Sequence, residues 1–206
     1  MIKLYHHPFS RAAGVVWALE EVGEPYELVW TDFSKGAHKQ GDVLAHNPMG
    51  KIPVLVDGDA VVAEAAAIDL YLADRYALGR LAPATDDPRR GTYLRWSLFA
   101  PSVIEPASMA KLQKWEYRAS SAGWGTHEDM LQSIDYAVSS GDFILGDMFS
   151  MADVIFGGTL RYMTVVKMLE PSATIAAYLE RITARPAFKR ADARNAAIIQ
   201  ERGLGK

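Results

Sequence analysis

The chain has 206 residues, half of them hydrophobic, a formal net charge of −3 and no cysteine. This is enough apolar material for one large core or two small ones. The interspersed charge presents no basic face for nucleic acid, no apolar run reaches the roughly 20 residues that cross a bilayer, and a chain without cysteine supplies no thiolate nucleophile, no disulfide and no thiolate metal ligand.

The opening Met1-Ile2-Lys3-Leu4-Tyr5 reads as a strand and lacks the charged-then-apolar layout of a signal peptide, so a cytoplasmic protein is expected. From about Ser10 to Val22, apolar Val15, Val16, Ala18, Leu19 and Val22 recur at helical spacing and stop at Gly23. Pro25 to Trp30 forms a second strand, parallel to the first if the helix is a right-handed crossover. Residues 33 to 46 are polar and punctuated by glycine, as in a loosely helical loop. Ile52 to Val56, the turn Asp57-Gly58 and Val61-Val62 read as a hairpin, and Glu64 to about Tyr76 as a helix. Proline and glycine between Gly79 and Pro88 mark a boundary. Beyond it, segments 88–118, 125–140, 150–168 and 172–185 read as helices, the first kinked or divided by Pro101 and Pro106. Ser150, Asp153 and the flanking Phe149 and Val154 form a capping box with a staple, a structural device. The expected organisation is an α/β domain over 1–78, a linker over 79–87 and an all-α bundle over 88–206.

Asn47-Pro48-Met49-Gly50-Lys51-Ile52-Pro53-Val54-Leu55-Val56-Asp57-Gly58 is the most informative stretch. A proline directly before an aliphatic strand occupies its first position or a bend, since it cannot donate within a ladder. A cis Ile52-Pro53 bond would turn the backbone of Ile52 outward to pair with another extended chain. With Glu64 following, this stretch resembles the glutathione-binding half of the cytosolic glutathione transferases, and the family's element order covers nearly the whole chain. The resemblance implies a thioredoxin-like N-terminal domain plus an all-α C-terminal helical bundle, a homodimer, and glutathione as co-substrate with no metal. It further implies that Ile52, beside Pro53, pairs with the cysteinyl backbone of glutathione, and that Glu64 and Ala65 hold the γ-glutamyl end. Here the chain departs from the family, whose usual Glu-Ser supplies a hydroxyl that Ala65 lacks. Lys51 and Lys39 are candidates for the glycyl carboxylate, or solvated surface lysines.

The thiol of glutathione needs a donor, a positive charge or a helix start to ionise near neutral pH. Four side chains of the turn after the first strand compete. Ser10, at the expected N-cap, is a thiol donor or a plain cap. Tyr5 ends the strand where tyrosine-type classes carry their donor, or simply packs. His7, in His7-Pro8-Phe9-Ser10, stands where the Cys-Pro-Phe-Ser motif of other branches has its cysteine, or is a solvated loop residue. Arg11 stabilises the thiolate by charge or bridges to an acid. Tyr93, Trp96, Phe99, Met109, Trp115 and Trp124 are candidates for a hydrophobic electrophile pocket against the helical domain, or core. The implied activity is transfer of glutathione to a hydrophobic electrophile or reduction of hydroperoxides. The alternative is a binding or scaffold protein that kept the fold and lost catalysis.

Overall fold

The computed structural model describes residues 1–205. They form two compact units, residues 1–77 together with the segment from Arg185 onward, and Leu78–Ala184.

In the first unit, β1 (Ile2–His6) pairs in parallel with β2 (Tyr26–Trp30) across the crossover helix α1 (Ala12–Val22). Gly23 ends α1 at φ 87°, its N–H on the Leu19 carbonyl, a conformation for which glycine carries no Cβ penalty. β3 (Val54–Asp57) runs antiparallel to β1 and to β4 (Ala60–Ala63), giving the thioredoxin-like sheet order β2-β1-β3-β4. Alternation sorts the faces. Tyr5 and Val54 join Ala12, Val43 and Ile52 in one cluster, with Val29, Phe33 and Val56 packed on it, beneath the short α2 (Gly41–His46). Leu4 and Leu55, fully buried, point to the other face, which α1 and α3 (Ala65–Tyr76) cover. The expected loose loop over 33–46 contains one 3-10 turn, Ala37–Lys39, and α2.

The sequence grouped residues 88–206, and it found no helix after 185. In the structure α9 (Pro186–Glu201) packs along α1, and Pro186 opens it at a position where a missing N–H costs nothing. Glu21, buried, accepts from Trp17 Nε1 at 3.0 Å and from Arg185 Nε and Nη2 at 2.7 and 2.8 Å. Glu20 accepts from Arg190 Nε at 2.7 Å and Arg194 Nε at 2.8 Å. At the far end of the sheet, Asp57 accepts from the hydroxyls of Tyr71 and Tyr76 and pairs with Arg75, tying the hairpin to α3. Burial pushes the Asp57 pKa up, but the phenol bonds and the arginine charge outweigh it and hold the carboxyl below its ordinary range.

The second unit is all helical: α4 (Arg90–Phe99), α5 (Glu105–Leu112), α6 (His127–Ser139), α7 (Met151–Val165) and α8 (Ala173–Thr183). Pro101 and Pro106 do divide the first helical segment. Between α4 and α5 the chain takes one π-helical turn, Ala100–Ile104, in which the Glu105 N–H reaches the Ala100 carbonyl. The helix stops at Leu112, short of the expected 118, and Lys114 turns to φ 53°. The box at α7 is present: Asp153 accepts from Ser150 N at 2.9 Å, and also from Ile144 N at 2.9 Å and Tyr178 Oη at 3.0 Å. Its two oxygens thus join the start of α7, the preceding loop and α8.

One buried group has no such compensation. Asp69 lies inside α3 with Oδ1 lacking a hydrogen-bond partner, and desolvation lifts its pKa from 3.8 to about 8. The folded protein therefore holds this proton more tightly than the unfolded chain does. Stability is fullest below about pH 4 and falls by about 1.4 kcal/mol per pH unit as pH rises toward about 8. Asp69→Asn, which cannot ionise, is expected to gain on the native protein in thermal unfolding as pH is raised from about 5 to about 8; a difference independent of pH would count against a neutral Asp69.

Candidate functional site

Register brings the candidate residues to one edge of the sheet. Tyr5 pairs with Val54, and Val54 with Ala63, so one row crosses β1, β3 and β4. His6 and the turn 7–11 leave β1 at this edge, Ile52-Pro53 enters β3 there, and Glu64 leaves β4 there. Three breaks in regular structure thus lie side by side over two strand spacings, about 10 Å.

In the turn, Ser10 is half-buried. Its hydroxyl donates to the His7 carbonyl at 2.7 Å and accepts the Ala12 N–H at 3.1 Å. Arg11, not Ser10, occupies the cap position of α1, so Ser10 caps from one residue further out. The His7 carbonyl also accepts the Ser10 N–H at 3.1 Å. The hydroxyl proton can therefore swing toward an incoming anion without leaving that carbonyl unpaired. Arg11 is half-buried beside it.

The other two donors face elsewhere. The Tyr5 hydroxyl donates to Asp42 Oδ2 at 3.2 Å, and burial together with that carboxylate raises its pKa, which keeps the phenol neutral and occupied. His7 is buried rather than solvated. Its ring stacks on Phe33 at 4.2 Å and lies 4.8 Å from Trp30, and its Nδ1 accepts the Phe9 N–H at 3.2 Å. Burial lowers its pKa against the pull of Asp32, so His7 is a neutral imidazole carrying its proton on Nε2.

Ahead of β3, buried Asn47 builds the loop. Its side chain donates to the Lys51 carbonyl at 3.0 Å and accepts the Met49 N–H at 3.1 Å. Lys39 Nζ donates to the Met49 carbonyl at 2.6 Å, while Lys51 is exposed. Gly50, at φ 56°, fits because any Cβ there would lie 2.7 Å from the His38 carbonyl oxygen. Ile52 is buried and its bond to Pro53 is cis.

Glu64 caps α3 at φ 70°, ψ 120°, a region in which a non-glycine residue costs about 1–3 kcal/mol, and such strain concentrates at ligand clamps. Its carboxylate is exposed and makes no cap bond, and no acidic residue stands in the first turn of α3, so the N–H groups from Ala65 onward face outward with the positive end of the helix.

Of the six residues considered for an electrophile pocket, Tyr93 and Trp96 are core of the second unit, and Phe99 meets Trp96 edge-on at 5.1 Å. Trp124 lies 5.6 Å from Tyr117, and Met109 and Trp115 are exposed. Among the described residues no group of three or more His, Asp or Glu side chains could hold a metal ion, and no helix is long and apolar enough to cross a membrane.

The family model described as Glutathione S-transferase, N-terminal domain, matches residues 1–74. Glutathione S-transferase 3 of Zea mays is 31% identical over 92% of this chain and 92% of its own length. Glutathione S-transferase Z2 of Arabidopsis thaliana is 30% identical over 92% of this chain and 90% of its own length. Among solved structures, the glutathione transferase URE2P6 from Phanerochaete chrysosporium in complex with oxidized glutathione superposes with a TM-score of 0.79 at 27% identity, covering 96% of this chain and 97% of that one.

Two residues at this edge carried no sequence signal: His6, which alternation alone places opposite Tyr5 on β1, and Asn195, which it contacts. The strain at Glu64 is directly testable. Glu64→Gly relieves it and is expected to stabilise the protein by roughly 1 kcal/mol, whereas Glu64→Ala, which keeps the same backbone, is not; denaturant unfolding of the two variants would compare them, and equal stabilities would argue against strain.

Proposed function

The chain belongs to the glutathione transferase family, and from that membership we propose that it binds glutathione along the sheet edge formed by Ser10, Ile52 and Glu64 and transfers it to a hydrophobic electrophile. The observation that carries this reading is the Tyr5–Val54–Ala63 row, which aligns a donor turn, an unpaired strand entry and a strained helix cap within about 10 Å. That is the reach of an extended tripeptide.

In this reading the cysteinyl backbone pairs with Ile52 beside Pro53. The γ-glutamyl ammonium meets the Glu64 carboxylate, and its carboxylate meets the N–H groups at the start of α3. Lys39 and Lys51 are the cations nearest the glycyl end. The thiol lies over the turn 7–11, where Ser10 donates to the developing thiolate, with the Ala12 N–H bond keeping the hydroxyl oxygen in place and Arg11 adding charge. Tyr5 and His7 then support the turn from below and take no part at the sulfur. Since the chain has no cysteine, the nucleophile is the ligand's own sulfur, and its proton passes to solvent before attack. The electrophile in this reading is a hydrophobic small molecule, and a second copy of the chain would cover the exposed Leu94 and Leu98 of α4. A cytoplasmic setting suits a cysteine-free enzyme that takes its thiol from solution.

Two substitutions test the assignment. Ser10→Ala should raise the pKa of the bound thiol, read from thiolate absorbance, and lower kcat by about one to two decades, the worth of one hydrogen bond to a charged group; a variant with an unchanged thiol pKa would remove Ser10 from the chemistry. Ala65→Ser should tighten glutathione binding by a similar factor, because it adds a hydroxyl at the start of α3 where the γ-glutamyl carboxylate would sit; calorimetry giving equal affinities would place that carboxylate elsewhere.

A further inference from the structure

Asn195 on α9 holds both ends of the donor turn. Its Nδ2 donates to the carbonyls of Ala191 at 3.0 Å and Ala13 at 3.3 Å. Carbonyl oxygens only accept, so the amide is oriented with Oδ1 toward His6, and the 2.8 Å contact to His6 Nε2 must be a donation from that ring nitrogen. His6 is almost fully buried and is the last residue of β1, while Ala13 lies in the first turn of α1. Residues 7–12, Ser10 among them, are the only chain between these two anchors. A single side-chain amide therefore bridges the two ends of the turn.

The neighbouring contacts give this anchor leverage over the Ser10 hydroxyl. The His6 carbonyl accepts the Thr31 N–H at 2.9 Å, which fixes the strand end from the β2 side. The next residue, His7, faces the opposite way and is wedged against Phe33 and Trp30. With the strand end held on one face by α9 and on the other by aromatic stacking, the His7 carbonyl and the Ala12 N–H, the two groups that orient Ser10 Oγ, stand at a set separation.

We propose that Asn195 is a positioning residue for thiol activation: by bridging the His6 ring to the Ala13 carbonyl it preorganises the turn that presents the Ser10 hydroxyl to sulfur. This rests on the reading that the turn 7–11 receives the thiol of glutathione. A docking role for α9 alone predicts something different, because Arg185, Arg190 and Arg194 also dock α9, to Glu21 and Glu20 on α1.

The test compares thiolate titration of bound glutathione and steady-state kinetics in the native protein, Asn195→Ala, His6→Phe, the double variant and Arg190→Ala. Asn195→Ala is expected to raise the bound thiol pKa by about one unit and to lower kcat roughly tenfold, with KM for glutathione within about twofold. The double variant should be no worse than the more damaging single one, since both remove the same bridge, and Arg190→Ala should leave the thiol pKa unmoved. An unchanged pKa in Asn195→Ala, or an equal shift in Arg190→Ala, overturns the inference while a lowered thiol pKa in the native protein leaves the assignment of the thiol site standing. A native protein that leaves the bound thiol at its free value overturns both. Should Asn195→Ala fail to fold, nitrogen NMR of the native His6 ring decides: protonation at Nε2 is expected, and a proton on Nδ1 would remove the bridge from which the inference is built.

Discussion

Everything at the candidate site traces back to β3 pairing antiparallel with a strand on each side. The pairing brings the end of β1, the start of β3 and the end of β4 together, although they are separated by nearly sixty positions of chain. A one-residue slip would exchange the faces of the strand, sending Val54 and Val56 away from Tyr5 and Val29 and lifting Leu55 away from Leu4. Both faces of this strand are buried, so such a slip has no tolerated outcome, and the apolar pattern that locks the register also locks the geometry of the edge.

The first unit is held around that sheet by polar contacts of unequal worth. The two arginines that meet Glu20 are each about half exposed, and pairs of that kind contribute at most about 1 kcal/mol. Arg185 meets Glu21 through two bonds, and Glu21 is buried and also holds Trp17; taking away one partner of such a pair costs about 3–5 kcal/mol because a buried charge is left behind. Trp17 also meets Phe188 of α9 edge-on at 5.1 Å, so the same junction is both polar and apolar. The far edge is tied by Asp57 to Tyr71, Tyr76 and Arg75. These ties lie on both flanks of the sheet, away from Glu64 and the start of α3.

At the site itself the pattern reverses. Glu64 keeps an unfavourable backbone, α3 begins without an acidic residue or a capping side chain, and Ser10 holds its proton on a carbonyl that already has a second donor. Each feature leaves capacity that a bound anion would use. Ala65 adds no hydroxyl at the start of α3, and the chain has no cysteine.

Much of this was legible from local pattern. Helical spacing from Val15 to Val22, the Asp57-Gly58 hairpin, the proline before β3 and the box at Ser150 each rest on a few neighbouring residues, and steric and hydrogen-bonding rules act at that range. The absence of cysteine and the Ala65 departure are likewise matters of sequence alone. What tertiary structure decided was which way side chains face and what lies against them. Ser10, Tyr5, His7 and Arg11 competed in one dimension, with Ser10 favoured by its place at the expected cap; packing turned Tyr5 to Asp42 and His7 to Phe33, and gave the Ser10 hydroxyl a carbonyl partner that already has a second donor. The burial of Asp69 in an otherwise ordinary helix and the return of α9 to α1, with Asn195 reaching His6 across 189 positions, have no local signature. They arise from contacts between segments whose proximity exists only once the chain has folded.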